Sequence, residues 1–448
     1  MSPSYKSLFV GKRITMMGLG ILGRGVGVAQ FLARCGAQLL ITDLKTKEQL
    51  ASSLAKLKRY SSITYVLGKH RLSDFRRGDM IIKAAGVPLD SPYIAEAKKH
   101  HIPIEMDASL FARHAPEGVT IIGVTGTRGK STVTHLLFAI FQKALGKKRV
   151  FLGGNVRGLA TLPLLARVKK GDVVVMELDS WQLQGFGTAK ISPRVGVFTN
   201  LLVDHQNYYR GSMARYFADK ANIYRFQKKE DVIIAGASIA PRIKKDSPKG
   251  VLMIISEKDK PILWKSRLLG VHNDFNIALA VAAARALHIP DTITRSVVEK
   301  FTGVPGRLEY IGSAKKVLFY NDTTATTPDG ALAAVRALGG TYKKRIILLG
   351  GGADKQLDYT HYGRVIPDMV KQLILFKGAA TDKIISAIGA RCPWVVVQSM
   401  KEAFTRVRAD ARAGDVVLLS PGAASFGVFK NEFDRGDQFV RMYKKYRR

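Results

Sequence analysis

The chain has 448 residues, and its 71 Lys and Arg against 35 Asp and Glu give a formal net charge of +36. At 46% hydrophobic, 8% aromatic and 24% charged residues, the composition is that of an ordinary globular protein apart from the sign of its charge. That excludes a disordered or collagen-like chain, and no run reaches the roughly 18 apolar residues of a bilayer span. The length exceeds one ordinary core, so two or three domains are expected.

The first apolar run, ITMMGLGILG after Lys12 and Arg13, has the length of a signal-peptide core, but Arg24 follows and no small-residue cleavage site appears. Cys35 and Cys392 stand far apart, which fits neither a disulfide scaffold nor a zinc site, so a cytoplasmic protein is expected. RITMMGLG reads as a strand, followed by a helix to about Cys35 and a second strand, AQLLITD. Gly18, Gly20 and Gly23 in the turn, with Asp43 closing the next strand, make a dinucleotide-type fingerprint: glycines let backbone approach a phosphate and the acid meets a sugar or base. A tight strand-to-helix crossover without ligand would leave the same pattern.

The stretch around Ala115, Pro116 and Glu117 marks a boundary. Beyond it come a strand, VTIIG, and the loop GVTGTRGKST, Gly123 to Thr132, ahead of the helical VTHLLFAIFQKAL. Such a loop cradles phosphate on backbone N–H groups, here from Gly126, Thr127, Arg128, Gly129, Lys130, Ser131 and Thr132. Lys130 reaches the terminal phosphates and the Ser131 hydroxyl suits Mg²⁺, although Val124 occupies the first glycine position of the general pattern. The strand DVVVMEL ends in Glu177, where a carboxylate faces the nucleotide crevice and suits Mg²⁺. RVGVFTN leads to His205 in VDHQNYY and Lys220 in ADKANIY, residues that in isolation read as structural or exposed.

TGVPGR, Thr302 to Arg307, marks the second boundary. NDTTATTPDG (Asn321 to Gly330), GGGADK (Gly350 to Lys355) and LLSPGAASFGVFKNEFDRGD (Leu418 to Asp437) are loops rich in small and hydroxyl residues, suited to presenting amides and hydroxyls to a carboxylate. The recurring strand, helix, strand rhythm implies an α/β protein of parallel sheets with ligands at the C-terminal strand ends. Three domains are expected, over 1–115, 116–305 and 306–448.

The basic excess raises nucleic-acid binding as a rival reading, a P-loop ATPase stimulated by DNA or RNA. Its distribution speaks against that: net +10 over 1–115, +15 over 116–305 and +11 over 306–448, with basic runs no longer than Lys343, Lys344, Arg345. A generally basic, solvated surface that attracts small anions is expected instead.

In this order, GLGILG, GVTGTRGKST, GGN at Gly153 to Asn155, MELDSWQL, TNLLVDH, ADKANIY, GVHNDFN, NDTTATT, GGGADK and LLSPGAASF resemble the Mur ligase family over nearly the whole chain. DNPR and HEYGHHP, acceptor motifs of other branches, are absent. The resemblance implies an N-terminal Rossmann-like domain for a UDP-sugar, a central P-loop ATPase domain and a C-terminal Rossmann-like domain for an amino acid. It implies ATP-dependent addition of D-glutamate to UDP-N-acetylmuramoyl-L-alanine through an acyl phosphate, in peptidoglycan precursor synthesis. A cytoplasmic monomer, with no nucleic-acid partner, is implied as well.

By the same resemblance, Lys130 meets the γ-phosphate, Ser131 and Glu177 hold a first Mg²⁺, and His205 with a carbamylated Lys220 holds a second. Asn273 and Arg307 would meet the nucleotide and Asp322 its ribose. Ile21, Leu22, Asp43, Gly86 and Asn155 match positions around the UDP-sugar, and Thr326, Lys355, Ser425 and Phe433 match the D-glutamate pocket. Four positions depart from the family's pattern: Arg128 replaces Asn, Asp179 replaces Ser, Gly306 replaces His, and Thr324 replaces the Lys of NDSKATN. Another acceptor amino acid is therefore the nearest alternative, and a non-catalytic nucleotide-binding scaffold a further one.

Overall fold

Strands whose residues are buried on both faces dominate the chain: every residue of Val173–Glu177, Ile346–Gly351 and Val416–Leu419 is buried. Continuous burial of this kind requires helices on both sides of a parallel sheet. The computed structural model describes residues 5–447 and contains three such sheets among them.

The first sheet comprises β1 (Arg13–Met17), β2 (Gln38–Asp43), β3 (Ile63–Leu67), β4 (Met80–Lys83) and β5 (Ile104–Glu105), in the order β3-β2-β1-β4-β5 with every pair parallel. The second comprises β6 (Thr120–Thr125), β7 (Val150–Gly154), β8 (Val173–Glu177), β9 (Val195–Phe198), β10 (Val232–Gly236) and β11 (Val251–Ile255), in the order β11-β10-β9-β6-β8-β7. The third comprises β12 (Glu309–Ala314), β13 (Val317–Asn321), β14 (Ile346–Gly351), β15 (Val370–Phe376), β16 (Trp394–Val397) and β17 (Val416–Leu419), in the order β12-β13-β17-β14-β15-β16.

The chain reverses its winding direction where β1 borders β4 in the first sheet and where β6 is flanked by β8 and β9 in the second. Successive loops diverge at such a point and leave a crevice at the C-terminal strand ends. The glycine turn after β1 and the phosphate-type loop after β6 both open there.

The expectation of parallel sheets fails at one edge, because β12 runs antiparallel to β13. The two strands join through Lys315 and Lys316, at φ 52° and 61°, a two-residue corner with both residues left-handed. Asn and Gly ordinarily mark that turn, so no hairpin signal stands in the sequence. The helix expected from Val133 begins earlier, at Lys130, after Gly129 at φ 84°.

By contacts the chain divides into two units. Residues up to 204, 208–256 and 278–297 form one, carrying the first and second sheets; residues 205–207, 257–277 and 298 onward form the other, carrying the third. In the first unit, Arg24–Arg34 and Asp107–His114 pack Phe31, Leu32, Leu110 and Phe111 into one apolar cluster that also contains Leu162, Leu183 and Phe186 of the second sheet's layer. Among the described residues no helix is long and apolar enough to cross a membrane.

In the second unit Phe319 of β13 is fully buried, its ring 4.9–6.4 Å from those of Phe404, Phe439, Tyr443 and Tyr446. Phe319→Ala is expected to destabilise this unit by about 3–5 kcal/mol. Denaturant unfolding followed by tryptophan fluorescence and far-ultraviolet circular dichroism checks this; a loss below about 1 kcal/mol would show that the aromatic cluster closes over the gap.

Candidate functional site

The loop between β6 and the helix Lys130–Leu145 turns at Gly126 (φ 140°) and Gly129 (φ 84°). A Cβ at Gly126 would lie 1.9 Å from Thr199 Oγ1, so only glycine lets the loop pass this close to the end of β9. Thr199 and Asn200 grip it from that side: Thr199 Oγ1 donates to the Arg128 carbonyl at 2.5 Å, and the Arg128 N–H donates to Asn200 Oδ1 at 2.9 Å. Lys130 Nζ donates to the carbonyls of Gly126 (3.0 Å) and Thr127 (3.1 Å). The Ser131 hydroxyl, one residue into the helix, donates to the carboxylate of Glu177 at the end of β8. Ser131 and Glu177 are both buried.

Lys220 lies in the helix Met213–Ala221, is 1% exposed, and donates to the Gly126 carbonyl at 2.8 Å while its Nζ sits 4.7 Å from the centre of the Tyr216 ring. Burial, and then the nearby charge of Lys130, hold its ammonium well below the usual lysine range, against the opposing pull of Asp179, Asp204 and Asp219. Burial of this kind favours the neutral amine over the ammonium. Arg128 reaches Asp204 with Nη1 3.4 Å from Oδ2. His205 follows Asp204 at φ 53° and belongs, with 206 and 207, to the other contact unit. Among the described residues no three His, Cys, Asp or Glu side chains gather as a metal cage. Mg²⁺ does not need one, since it is commonly held by one or two carboxylates together with substrate phosphates. Ser131 and Glu177 supply hard oxygen donors of that kind.

In the first-sheet crevice Asp43 is turned inward. Its carboxylate accepts from the N–H groups of Leu19 (2.8 Å), Gly20 (3.0 Å) and Lys45 (2.9 Å), so it shapes the glycine turn. Ile21 and Leu22 on that turn are 40% and 47% exposed, large apolar surface facing open space. Asn155, beyond β7, accepts from Arg24 Nη2 through Oδ1 at 2.8 Å, and its N–H donates to the Glu177 carbonyl at 2.6 Å. Gly86 is exposed on the loop after β4 and would meet nothing within 4 Å if it bore a Cβ. In the sequence Arg24 stands out only as the charge after the first apolar run, and Asp107 carries no signal. Asp107 is buried, accepts from the Thr161 N–H at 3.1 Å, and has its carboxyl pKa raised by burial.

In the second unit, Val304 to Arg307 form a tight turn closed by an Arg307 N–H to Val304 carbonyl bond of 3.0 Å, with Gly306 at φ 74°. Two departures meet here: the Gly306 carbonyl accepts from both the Thr324 hydroxyl (3.0 Å) and its N–H (3.2 Å). Asp322 accepts from the Leu308 N–H (3.0 Å) and the Ser420 hydroxyl (2.7 Å), which ties this turn to the ends of β13 and β17. Asn273 donates to the Leu269 carbonyl at 2.8 Å. Lys355 Nζ donates to Thr326 Oγ1 at 3.0 Å, and Ala353 and Ala424 exchange two backbone bonds, which brings the Lys355 and Ser425 loops onto one lip. Phe433, in the helix Glu432–Arg447, is partly buried. Arg435 on the same helix is fully buried; it donates to the Thr323 hydroxyl and carbonyl and to the Ala423 carbonyl, bracing both acceptor-type loops from beneath. Its sequence signal, one more Arg among many, was invisible.

The chain matches three family descriptions in succession: "Mur ligase MurD-like, N-terminal domain" over residues 12–105, "Mur ligase middle domain" over 124–251 and "Mur ligase, glutamate ligase domain" over 306–422. It is 36% identical over 472 aligned residues to the UDP-N-acetylmuramoylalanine--D-glutamate ligase of Roseiflexus sp. (strain RS-1), covering 97% of this chain and 99% of that protein. A protein of the same name from Borreliella afzelii (strain PKo) is 35% identical over 450 residues, covering 95% and 96%. Among solved structures, the UDP-N-acetylmuramate-alanine ligase MurC of Thermotoga maritima superposes with a TM-score of 0.63 at 17% identity, covering 97% of this chain and 99% of that one. The MurF ligase of Thermotoga maritima in complex with ADP gives 0.59 at 15% identity, covering 99% and 97%. At these identities the two structures support the three-domain fold alone.

Gly154 joins the two crevices of the first unit: at φ 76° it passes so close to β8 that a Cβ would stand 2.1 Å from the Glu177 carbonyl. Gly154→Ala is therefore expected to cost about 1–3 kcal/mol in stability and to displace both Asn155 and Glu177. Thermal unfolding checks the first expectation and the crystal structure of the variant the second; an unshifted melting curve would show that the strand end relaxes freely.

Proposed function

The chain belongs to the Mur ligase family, and from that premise we infer that it is an ATP-dependent carboxylate–amine ligase, joining D-glutamate to UDP-N-acetylmuramoyl-L-alanine in peptidoglycan precursor synthesis. The observation that carries the chemistry is one phosphate-type loop on which Lys130, the Ser131–Glu177 pair and the buried Lys220 all act. A carboxylate is a poor electrophile until it is phosphorylated. Its oxygen attacks the γ-phosphorus of ATP, the bond to ADP breaks, and the acyl phosphate that results is attacked at carbon by the amine of D-glutamate. The amide forms, phosphate leaves and the amine gives up its proton.

Each residue follows from the charges in that sequence. Lys130, now bonded to the loop's own carbonyls, would exchange them for γ-phosphate oxygens. Ser131 and Glu177 would hold Mg²⁺, which when bound supplies positive charge against the phosphate oxygens. His205 and Lys220 are the proposed ligands of a second ion, Lys220 as its carbamate. Only a neutral amine adds CO₂, and burial favours that form above the depressed pKa of Lys220; acidification below it charges the amine and removes the modification. Asn155, Arg24 and the turn at Ile21 and Leu22 would receive the UDP-sugar. Arg307, Asn273 and Asp322 would receive ATP, and Thr326, Lys355, Ser425 and Phe433 the D-glutamate. Donation of the Thr324 hydroxyl and N–H to the Gly306 carbonyl gives the acceptor side its own local shape, which keeps a different amino acid as the second reading. A single chain in the cytoplasm, with ATP at hand, is the proposed working state.

Phosphate release from ATP in the presence of Mg²⁺ and UDP-N-acetylmuramoyl-L-alanine is expected to depend on D-glutamate. L-glutamate, L-alanine, L-lysine and meso-diaminopimelate serve as the panel, and release driven by one of these instead would reassign the acceptor. Lys130→Ala is expected to lower kcat about 10²- to 10³-fold, the loss typical of one transition-state charge contact. Depleting CO₂ should lower the wild-type rate and bicarbonate restore it, more steeply at lower pH; a rate indifferent to CO₂ would remove the carbamate from the scheme.

A further inference from the structure

Lys83 ends β4 in the crevice where β1 and β4 part, and it is 3% exposed. Its Nζ donates to the carbonyls of Val87 (3.0 Å) and Ala85 (3.4 Å), so one ammonium closes the loop 84–87 from beneath with Gly86 between the two bonds. The opposite wall presses against the same loop: the Ala84 N–H donates to the Met17 carbonyl at 2.8 Å, and a Cβ on Gly18 would lie 2.9 Å from the Ala84 Cβ.

A buried ammonium requires opposing charge. Here it comes from the second sheet's layer, where Asp179 and Asp219 both act on Lys83, although burial still lowers it to about 8. Asp179 caps the helix Ser180–Ala189 two residues beyond Glu177, and Asp219 is the neighbour of Lys220. Both carboxylates are held in place. Asp179 accepts from the Gln182 N–H at 2.7 Å, and Asp219 accepts from Gln184 Nε2 (2.8 Å) and the Tyr209 hydroxyl (2.9 Å). The continuation of the loop is fastened to the same layer, since Arg210 Nη2 meets Asp90 Oδ2 at 2.8 Å.

We propose that Lys83 is a positioning residue for the UDP-sugar, fixing the 84–87 loop in shape and setting its distance from the Glu177 and Lys220 end of the second sheet. The proposal deepens the ligase reading and rests on it. Lys83 touches no reacting atom; it aligns the loop that carries Gly86 with the carboxylates beside the phosphate-type loop, so that the substrate carboxylate arrives in line with the γ-phosphate.

Calorimetric titration of the full chain with UDP-N-acetylmuramoyl-L-alanine, without ATP, separates the two claims. A wild-type chain that fails to bind it sinks the ligase reading. With wild-type binding established, Lys83→Met is expected to weaken UDP-sugar affinity and raise its KM about tenfold while the KM for ATP moves less than about twofold. Lys83→Arg, which keeps charge and donors, is expected to recover most of the loss. Unchanged UDP-sugar affinity in Lys83→Met, or an equal rise in both KM values, overturns the proposal. Should Lys83→Met not fold, Lys83→Gln keeps the hydrogen-bond donors without the charge and carries the same expectation; failure of both to fold would make Lys83 a fold anchor and likewise overturn it.

Discussion

Glu177 holds two crevices of one unit in register. Its carboxylate takes the hydroxyl of Ser131, at the start of the helix that follows the phosphate-type loop, while its carbonyl takes the N–H of Asn155, which in turn holds Arg24 of the first sheet's layer. A single strand end therefore spaces the proposed triphosphate site from the proposed sugar site. Acyl-phosphate chemistry needs that spacing, because a carboxylate oxygen must reach phosphorus to within bonding approach and effective molarity falls steeply with misplacement. The glycines at 126 and 154 serve the same purpose, removing side chains where Thr199 and the Glu177 backbone leave no room for a Cβ.

What the sequence made legible was what depends on neighbours along the chain. Continuous apolar runs announced β6 and β8, because strands covered on both faces have no polar alternation to hide them. GKST in strand–loop–helix context announced the phosphate-type loop, and its placement after β6 matches that reading. The corner at Lys315 and Lys316 stayed hidden, since nothing local favours left-handed lysines; pairing of β12 with β13 imposes the conformation. Pairs such as Arg24 with Asn155 or Arg435 with Thr323 join residues more than a hundred positions apart, and only the strand order brings them together. Asp43 shows the intermediate case. Its spacing from the glycines was legible, but the carboxylate is used to shape the turn through three backbone N–H groups.

The charge divides along the same line. Seventy-one basic residues give the chain a diffuse positive surface, and a surface cation surrounded by water and salt carries little specific information. Lys83, Lys220 and Arg435 differ because they are 3%, 1% and 0% exposed. Each buried basic side chain must be matched by fixed carbonyls or carboxylates, and the matching groups are the loops and helix ends that border the candidate sites. Lys83 binds the carbonyls around Gly86, Lys220 that of Gly126, and Arg435 those of Thr323 and Ala423. Desolvation makes these interactions strong and intolerant of displacement, a property that suits the proposed substrate loops. The net charge of the chain thus describes its surface, whereas three basic side chains hidden from that surface, Lys83, Lys220 and Arg435, bond to the loops of its three sheets.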